Sequence, residues 1–169
     1  SNLKQAVVEG IEAGLEAMVI ITERTPIHDS MHILALARRR GVEILGPNSP
    51  GLCLVGRSKV GIMPNRIFRK GGLAVISRSG TLTYEVVQAL SSAGLGQSVV
   101  LGLGGDRLLG TDMRDAMEMV LGREPSGVVM IGEIGGQMEE EASALIDELG
   151  AENIFAYVAG VSAPPAKRM

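Results

Sequence analysis

Apolar residues along the chain recur at two different spacings, which predicts helices and strands in regular succession. Near the N-terminus, Leu3, Val7, Ile11 and Leu15 are spaced as on one face of a helix, and an unbroken apolar run over 18–21 follows them. A short apolar run without polar alternation is typical of a parallel strand that is covered on both faces. The pattern therefore predicts one helix followed by one buried strand.

A second helix and a second strand follow in the same order. Asp29 or Ser30 is the predicted N-cap of the helix, because a side-chain oxygen there can accept a hydrogen bond from the first helical turn. The helix ends at Gly41, a residue type favoured at helix ends, and a strand over 42–45 comes directly after it. The expected apolar face of this helix consists of Met31, Leu34 and Leu36.

The segment 46–72 interrupts the pattern, because it is dense in Gly and Pro and only 59–63 resembles a strand. From residue 73 onward the alternation resumes. Strands are predicted over 73–77, 97–103, 127–132 and 153–158, and helices over 80–92, 111–121 and 138–149. Such alternation indicates an α/β fold with a doubly wound parallel sheet. We expect residues 1–50 to be the last part of one α/β domain and residues 51–169 most of a second domain.

Composition excludes several classes of function. The 169 residues can form a packed core, and their net charge of −3, with both signs scattered, gives no basic surface for nucleic acid. The single cysteine, Cys53, cannot form an intrachain disulfide, which favours a reducing compartment such as the cytoplasm or a mitochondrial matrix. No apolar run approaches the roughly 20 residues that span a bilayer, so no membrane segment is expected. His28 and His32 lack a second pair of ligands, so no metal site is predicted.

The sequence ISRSG, residues 76–80, lies where a predicted strand passes into a predicted helix. Open α/β sheets bind ligands at this edge, and the first amides of a helix have no acceptor within the helix. Gly80 would let a ligand approach the backbone, while Ser77, Ser79 and Thr81 add hydroxyl groups. The turn is therefore a candidate cradle for a phosphate or carboxylate group. The alternative is that Ser79 or Thr81 only caps the helix.

The sequence IGEIGG, residues 131–136, places Glu133 at the end of a very apolar strand and at the same sheet edge. A carboxylate there could act as a general base or pair with a cationic or imidazole group, or it could cap the next helix. Glu139, Glu140 and Glu141 are interpreted as the acidic first turn of that helix. Asp106 and Asn48 lie in Gly-rich loops, where each could contact a ligand or only turn the chain.

Several longer motifs together resemble the α subunits of the succinyl-CoA synthetase family. They occur in that family's order and spacing over essentially the whole chain. The motifs are GPNSPG, VISRSGTLTYEVV, GQSVVLGLGGD, VVMIGEIGG, EEEA and YVAGVSAPPAKRM. Malate–CoA ligase and ATP-citrate lyase share them, so the resemblance identifies the superfamily more closely than the acid.

The resemblance implies a flavodoxin-like ligase domain preceded by the closing part of a Rossmann-like CoA-binding domain. It also implies a ligase that joins a small carboxylic acid to CoA through a phosphohistidine and an acyl phosphate. The partner would be a β subunit that binds ATP or GTP with Mg²⁺. By this resemblance Glu133 orients the phosphohistidine, and the phosphate and CoA lie against two sets of residues. The phosphate set is Ser77, Ser79, Gly80, Thr81, Asn48, Ser49 and Pro50, and the CoA set is Ile21, Thr22 and Glu23.

The sequence also departs from the family. In the family, the Lys-Arg-Met that corresponds to residues 167–169 is followed by the Gly-His loop that carries the phosphorylated histidine, so we expect that nucleophile beyond Met169. Arg107, Leu108 and Leu109 replace a loop that usually contains proline. The alternative to an enzyme is a non-catalytic anion-binding or assembly module of the same fold. A flavodoxin-type FMN protein is disfavoured, because loop aromatics are scarce.

Overall fold

The computed structural model describes residues 2–160, which form two sheets and their flanking helices. The strands are β1 (Ala17–Val19), β2 (Glu43–Leu45), β3 (Gly51–Leu54), β4 (Ser58–Gly61), β5 (Lys70–Ser77), β6 (Gln97–Gly102), β7 (Gly127–Glu133) and β8 (Ile154–Ala159). The helices are α1 (Asn2–Glu12), α2 (Ile27–Arg40), α3 (Gly80–Ser92), α4 (Met113–Leu121) and α5 (Met138–Leu149), and a 3₁₀ turn covers Asn65–Ile67. No helix of this part of the chain is both long and apolar enough to cross a bilayer.

The first sheet is small and consists of the parallel pair β1 and β2, with Met18 opposite Ile44. Helices α1 and α2 pack together with these strands around one apolar cluster. Its buried members are Val7, Ile11, Ile20, Ile33, Leu34, Ala37 and Ile44. The two helix–strand steps predicted from the first 45 residues are therefore present.

The second sheet has six strands in the order β4-β3-β6-β5-β7-β8. The four strands from β6 to β8 are parallel, as the β-α alternation predicts. Strands β3 and β4 are antiparallel to their neighbours, so the sheet is mostly parallel rather than wholly parallel. The fold class is therefore α/β, with an antiparallel edge added to the doubly wound sheet.

Both faces of the central strands are covered, which explains their continuous apolar sequences. Alternate residues of β5 point to opposite faces: Ala74 and Ile76 pack on the side of α4 and α5, and Val75 packs on the side of α3. All three side chains are fully buried. A strand buried on both faces needs apolar residues at every position, so it shows no polar alternation.

The prediction of a single strand-like stretch in 46–72 was wrong. Gly51–Leu54 is a strand as well, paired with β4 on one side and with β6 on the other. Gly51 lies opposite Gly61, and both have positive φ. A Cβ on Gly51 would overlap the backbone oxygen of Val60, so the two chains can approach only because glycine is present. Glycine at this crossing gave the segment the composition of a loop.

Helix α2 begins earlier than predicted. Pro26 is its N-cap and makes no side-chain capping bond, and the predicted caps Asp29 and Ser30 lie inside the first turns. The predicted apolar face also shifts, because Met31 is 55% exposed and Ile33 is buried instead. Gly41 does end the helix, in the left-handed conformation. The proline, with its fixed φ, starts this helix without a polar cap.

Direct hydrogen bonds join the first sheet to the loop that precedes α4. The Gly110 amide donates to the Gly46 carbonyl at 2.9 Å, and the Thr111 hydroxyl donates to the Ile44 carbonyl at 3.0 Å. A Cβ on Gly110 would collide with the backbone of Ile44. The two sheets are thus in close contact, and the domain boundary between residues 50 and 51 stays a prediction.

Candidate functional site

The carboxyl ends of β5 and β7 lie side by side, with Ser77 opposite Ile131 in the parallel register. Helix α3 begins at Gly80, directly after the turn that leaves β5, and Ser79 is its N-cap. The Leu82 amide donates to Ser79 Oγ over 3.5 Å, which is a long capping bond. The turn and the helix start lie where the sequence predicted them, and of the two alternative caps, Ser79 and Thr81, the structure shows Ser79.

Ser77 shapes this turn from inside the protein. Its side chain is fully buried, its hydroxyl donates to the Ser79 carbonyl at 2.9 Å, and the Ser79 amide donates back to it at 3.1 Å. The Ser79 carbonyl also accepts from the Thr83 hydroxyl. Ser77 thus holds the residue that caps α3, and its direct contact with a phosphate stays a prediction.

Gly80 has no internal steric reason to be glycine. A Cβ at this position would meet no atom within 4 Å, and the residue does not have positive φ. By contrast, several other glycines are required by close backbone contacts, as at Gly51 and Gly110. The open space at Gly80 adjoins the first amides of α3, so an anion could approach these donors closely.

A cavity of about 380 Å³ opens at the start of α3. It brings together most of the residues predicted for phosphate and for CoA, although they come from separate parts of the chain. Two lining residues, Ile62 and Tyr84, were not predicted. The lining consists of Ile21, Glu23, Asn48, Ser49, Pro50, Ile62, Gly80, Thr81 and Tyr84. Its size is within the range of small-molecule sites.

The other predicted residues lie outside this lining. The Thr22 carbonyl accepts a hydrogen bond from the backbone amide of Asn48 at 3.0 Å. This bond joins the segment after β1 to the loop after β2. Ser77 and Ser79 lie behind Gly80 in the turn, and Glu133 lies at the end of β7. The contacts of these four residues with a ligand stay predictions.

The loop after β2 is held rigidly against both sheets. Ser49 is buried; its hydroxyl donates to the Gly102 carbonyl at 2.6 Å and accepts from the Gly51 amide at 2.9 Å. Asn48 has φ +59°, and its side-chain amide donates to the Asp106 carboxylate at 3.1 Å. Asp106, for which the sequence left a turn or a ligand contact open, therefore anchors Asn48.

Tyr84 lies on α3 one turn after Gly80 and lines the same cavity. Burial raises the pKa of its phenol above the ordinary value of 10.0. The hydroxyl therefore keeps its proton near neutral pH and can donate a hydrogen bond to an anion. The helical spacing from Gly80 was the signal for this residue, because positions one turn apart share a helix face.

Glu133 is partly buried at the end of β7. Its backbone is hydrogen-bonded on both sides of the peptide: the amide donates to Glu139 and the carbonyl accepts from Arg78. Within residues 2–160, no hydrogen bond or ion pair holds its carboxylate. The carboxylate is thus presented by a fixed backbone and remains available to another group.

The sequence interpretation missed the contact between Arg78 and Glu139. Arg78 Nη1 lies 3.1 Å from Glu139 Oε1, and the two side chains are only 5% and 14% exposed. Glu139 is therefore more than part of an acidic first turn, and that interpretation was incomplete. Gly132 makes room for it, because a Cβ there would lie 2.5 Å from Glu139 Cγ. The signal was an arginine between two serines at the end of a buried strand.

The described residues include no group of three or more His, Cys, Asp and Glu side chains that could hold a metal ion. The donors at the start of α3 are backbone amides and hydroxyl groups, with Tyr84 beside them. Such donors bind anions rather than cations. The chemistry of this edge therefore suits a phosphate or carboxylate ligand.

Known proteins share the sequence of this chain over most of its length. The sequence profile of the family described as CoA-ligase matches residues 76–169. The chain is 44% identical over 165 residues to a succinate–CoA ligase [ADP-forming] subunit alpha 2 of Archaeoglobus fulgidus. It is 46% identical over 168 residues to the subunit alpha of Aquifex aeolicus. These matches cover 97% of this chain and 57% and 55% of the relatives, so the chain spans about half their length.

Solved structures share the fold at lower sequence identity. An ATP citrate lyase from Methanothrix soehngenii, in complex with citrate and coenzyme A, superposes with a TM-score of 0.84 at 22% identity. This match covers 98% of this chain and 29% of that one. A dinucleotide-forming acetyl-coenzyme A synthetase 1 from Ca. Korarchaeum cryptofilum, with phosphate and ADP, has a TM-score of 0.77 at 20% identity and covers 94% and 35%.

The structural matches support the α/β fold, and the sequence matches also identify the family. They extend over nearly the whole chain, at identities well above those of the structural matches, and the profile covers more than half of it. They include the turn before α3, the strand that ends at Glu133 and the Glu139 region. The chain belongs to the CoA-ligase family and is homologous to the α subunits of succinate–CoA ligases.

Proposed function

We propose that this chain is part of the α subunit of a nucleotide-dependent acid–CoA ligase of the succinate type. The observation that carries the proposal is the cavity at Gly80. Ile21 and Glu23, two of the three residues predicted for CoA, line the same cavity as Gly80 and Thr81, the first residues of α3. A site that transfers a group between a phosphate and CoA requires these two surfaces to face the same space.

The start of α3 would hold the phosphate. The amides of its first turn have no acceptors within the helix, and the helix dipole favours negative charge there. Gly80 leaves room for the phosphate to approach, and Thr81 and Tyr84 can add hydroxyl donors from the cavity wall. These groups stabilise charge on the phosphate without forming covalent bonds.

Glu133 would orient the histidine that carries the phosphate. A carboxylate that accepts a hydrogen bond from one imidazole nitrogen fixes the tautomer and the direction of the other nitrogen. The Glu133 backbone is fixed, and its carboxylate has no partner within residues 2–160. The histidine itself is expected beyond Met169, so this part of the proposal concerns the larger protein.

The reaction then has two steps. An oxygen of the acid carboxylate attacks phosphorus, the N–P bond to histidine breaks, and an acyl phosphate forms. The CoA sulfur next attacks the acyl carbon, the bond from that carbon to the phosphate oxygen breaks, and inorganic phosphate leaves. The thiol proton passes to solvent, and the product is a thioester.

The phosphohistidine would be formed with a second subunit. The relatives are named as α subunits, which supports a β subunit as the partner. We infer that this partner holds ATP or GTP with Mg²⁺ and that the substrate is a small carboxylic acid. The compartment would be the cytoplasm or a mitochondrial matrix; one relative, from Trichomonas vaginalis, is named as mitochondrial.

The second candidate is a non-catalytic module that binds an anion or assembles with a β subunit. It would use the same cavity and the same first turn of α3, but no phosphate would be transferred. The burial of Ser49 and the hydrogen bond between Asn48 and Asp106 would serve a binding site equally well. Phosphate uptake therefore distinguishes the two candidates.

The experiment uses the complete natural gene product that contains this chain, purified together with its β subunit. The complex is incubated with ATP or GTP and Mg²⁺, and its mass is measured intact. We expect the α subunit to gain one acid-labile phosphoryl group on histidine. Succinate and CoA together, but neither alone, should remove it and yield succinyl-CoA.

Glu133→Gln should prevent this discharge, whereas Glu140→Gln should not, because Glu140 is exposed on α5. A complex that binds CoA and takes up no phosphate would contradict the ligase and support the binding module.

A further inference from the structure

Arg78 and Glu139 connect the turn before α3 to the end of β7. Arg78 Nη1 donates to Glu139 Oε1 at 3.1 Å and to the Glu133 carbonyl at 3.3 Å. The same Glu139 oxygen accepts from the Glu133 amide at 3.0 Å. The peptide groups on both sides of Glu133 are therefore held by one buried ion pair.

The backbone of Arg78 is fixed as well. Its amide donates to the Ile131 carbonyl at 2.9 Å, two residues before Glu133 in β7. Arg78 directly precedes Ser79, the N-cap of α3. One residue thus contacts both elements that the proposed phosphate site uses, and this contact sets the distance between them.

Stability does not account well for this pair. Two charges are removed from water, and Arg78 Nε is buried without a hydrogen-bond partner. Buried pairs that leave such a group unsatisfied are often no better for stability than apolar side chains of similar volume. Their best-attested use is to specify one arrangement of the chain, which points here to a role in positioning.

The ion pair also determines which carboxylate the Arg78 guanidinium contacts. Arg78 Nη1 lies 3.3 Å from the Glu133 carbonyl oxygen, so the Glu133 carboxylate belongs to a residue that Arg78 already contacts. Glu139 occupies Nη1 and neutralises the guanidinium. Without Glu139, Arg78 could pair with the Glu133 carboxylate, which would then be less able to accept a hydrogen bond from another group.

We propose that Arg78 and Glu139 are positioning residues, which fix the end of β7 against the start of α3 and keep the Glu133 carboxylate free for its ligand. The proposal rests on the proposed function, because it assigns Glu133 the role of orienting an imidazole. It adds to that function a requirement for two residues that need not touch a substrate.

The test compares Glu139→Ala with Glu140→Ala in the complete α–β complex. Both variants remove one carboxylate from the first turn of α5, but only Glu139 holds Arg78. The measured quantity is kcat for removal of the phosphoryl group by succinate and CoA, divided by the amount of phosphorylated protein. We expect Glu139→Ala to lower kcat by roughly 10- to 100-fold with KM for CoA unchanged, because small displacements of reacting groups have such effects.

A purely structural role would lower the amount of folded protein and leave kcat per phosphorylated complex unchanged, and that result would overturn the proposal. An equal loss in Glu140→Ala would overturn it too. If Glu139→Ala does not fold, Glu139→Gln serves instead, because it keeps an acceptor for the Glu133 amide and removes the charge. The kcat of Glu139→Gln should fall as well, and an unchanged kcat would contradict the proposed positioning role of Arg78 and Glu139.

A second readout separates this proposal from the proposed function. Hydrogen exchange of the Glu133 amide reports its bond to Glu139 whether or not the protein is a ligase. Glu139→Ala should speed this exchange by at least about 10-fold relative to Glu140→Ala. If the wild type takes up no phosphate, the proposed function fails, and unchanged exchange at Glu133 would then reject the positioning role also.

Discussion

The side-chain amide of Asn48 donates a hydrogen bond to the carboxylate of Asp106 at 3.1 Å, although 58 positions separate the two residues. Asn48 belongs to the loop after β2 and Asp106 to the loop after β6. The bond therefore joins the two sheets beside the cavity. It also holds Asn48 in its left-handed conformation, at φ +59°.

Replacing Asp106 with alanine should loosen this wall of the cavity. The side-chain amide of Asn48 would lose its acceptor, so we expect a loss of about 1 kcal/mol in the free energy of unfolding. CoA should also bind several-fold more weakly to the complete ligase in isothermal titration. Asp147→Ala, on the exposed side of α5, is the control and should change neither quantity.

Gly80→Ala should separate folding from anion binding. The added Cβ meets no atom within 4 Å, so the free energy of unfolding should stay the same or rise by about 0.5 kcal/mol. Affinity for inorganic phosphate should fall about tenfold, because the methyl group enters the space before the first amides of α3. Gly122→Ala, at the end of α4, is the control and should leave phosphate affinity unchanged. Equal phosphate binding in both variants would show that no anion binds at Gly80.

Gly132→Ala should disturb the contact between Glu139 and β7. Its Cβ would lie 2.5 Å from Glu139 Cγ, so the side chain or the strand must move. Overpacking of this kind costs about 1 to 3 kcal/mol, which urea unfolding would measure. Gly136→Ala is the control in the turn after β7, where the nearest contact of the added Cβ would be Arg78 Nη1 at 3.8 Å. We expect it to be nearly neutral, and similar losses in both variants would contradict the steric explanation.

The two faces of α4 should respond differently to truncation. Met117 is fully buried against the central sheet, whereas Met119 is 50% exposed. Met117→Ala should lower the free energy of unfolding by about 2 to 5 kcal/mol, because it leaves a cavity in the core. Met119→Ala should stay within about 0.5 kcal/mol of the wild type. Urea denaturation of the two variants measures the difference directly.

Cys53 should make stability depend on alkaline pH. Burial raises the pKa of its thiol above the ordinary value of 9.0, and the Lys59 charge only partly opposes this effect. Above pH 9 the unfolded chain loses this proton before the folded one does, so the folded state loses stability as pH rises. The decline between pH 8 and 10 should be smaller in Cys53→Ala. A maleimide reagent should label the native thiol slowly at pH 8 and rapidly in urea.

Much of the ligase-like sheet was predictable, because its elements depend on local periodicity. The predicted strands 73–77 and 127–132 correspond to the ends of β5 and to β7, and the predicted helix 80–92 is α3. The antiparallel strand β3 was not predictable, because Gly51 and the Gly and Pro residues before it resemble a loop until the facing strand is known. Similarly, Ile62 showed no local sign that it shares a cavity with Ile21, and the only sign for Tyr84 was its helical spacing from Gly80.

The sequence by itself determined most of the helices and strands and the turn at Ser79, because each depends on residues close together in the chain. It also determined the family, because several motifs occur in the family's order and spacing. Only the tertiary structure decided which side chains meet at that turn. Arg78 and Glu139 are 61 positions apart, and nothing near either residue indicates its partner. Their contact exists because β5 and β7 are neighbours in the sheet and Gly132 leaves space for the Glu139 side chain. Pairing between distant residues depends on the packing of the whole sheet, which local sequence patterns do not record.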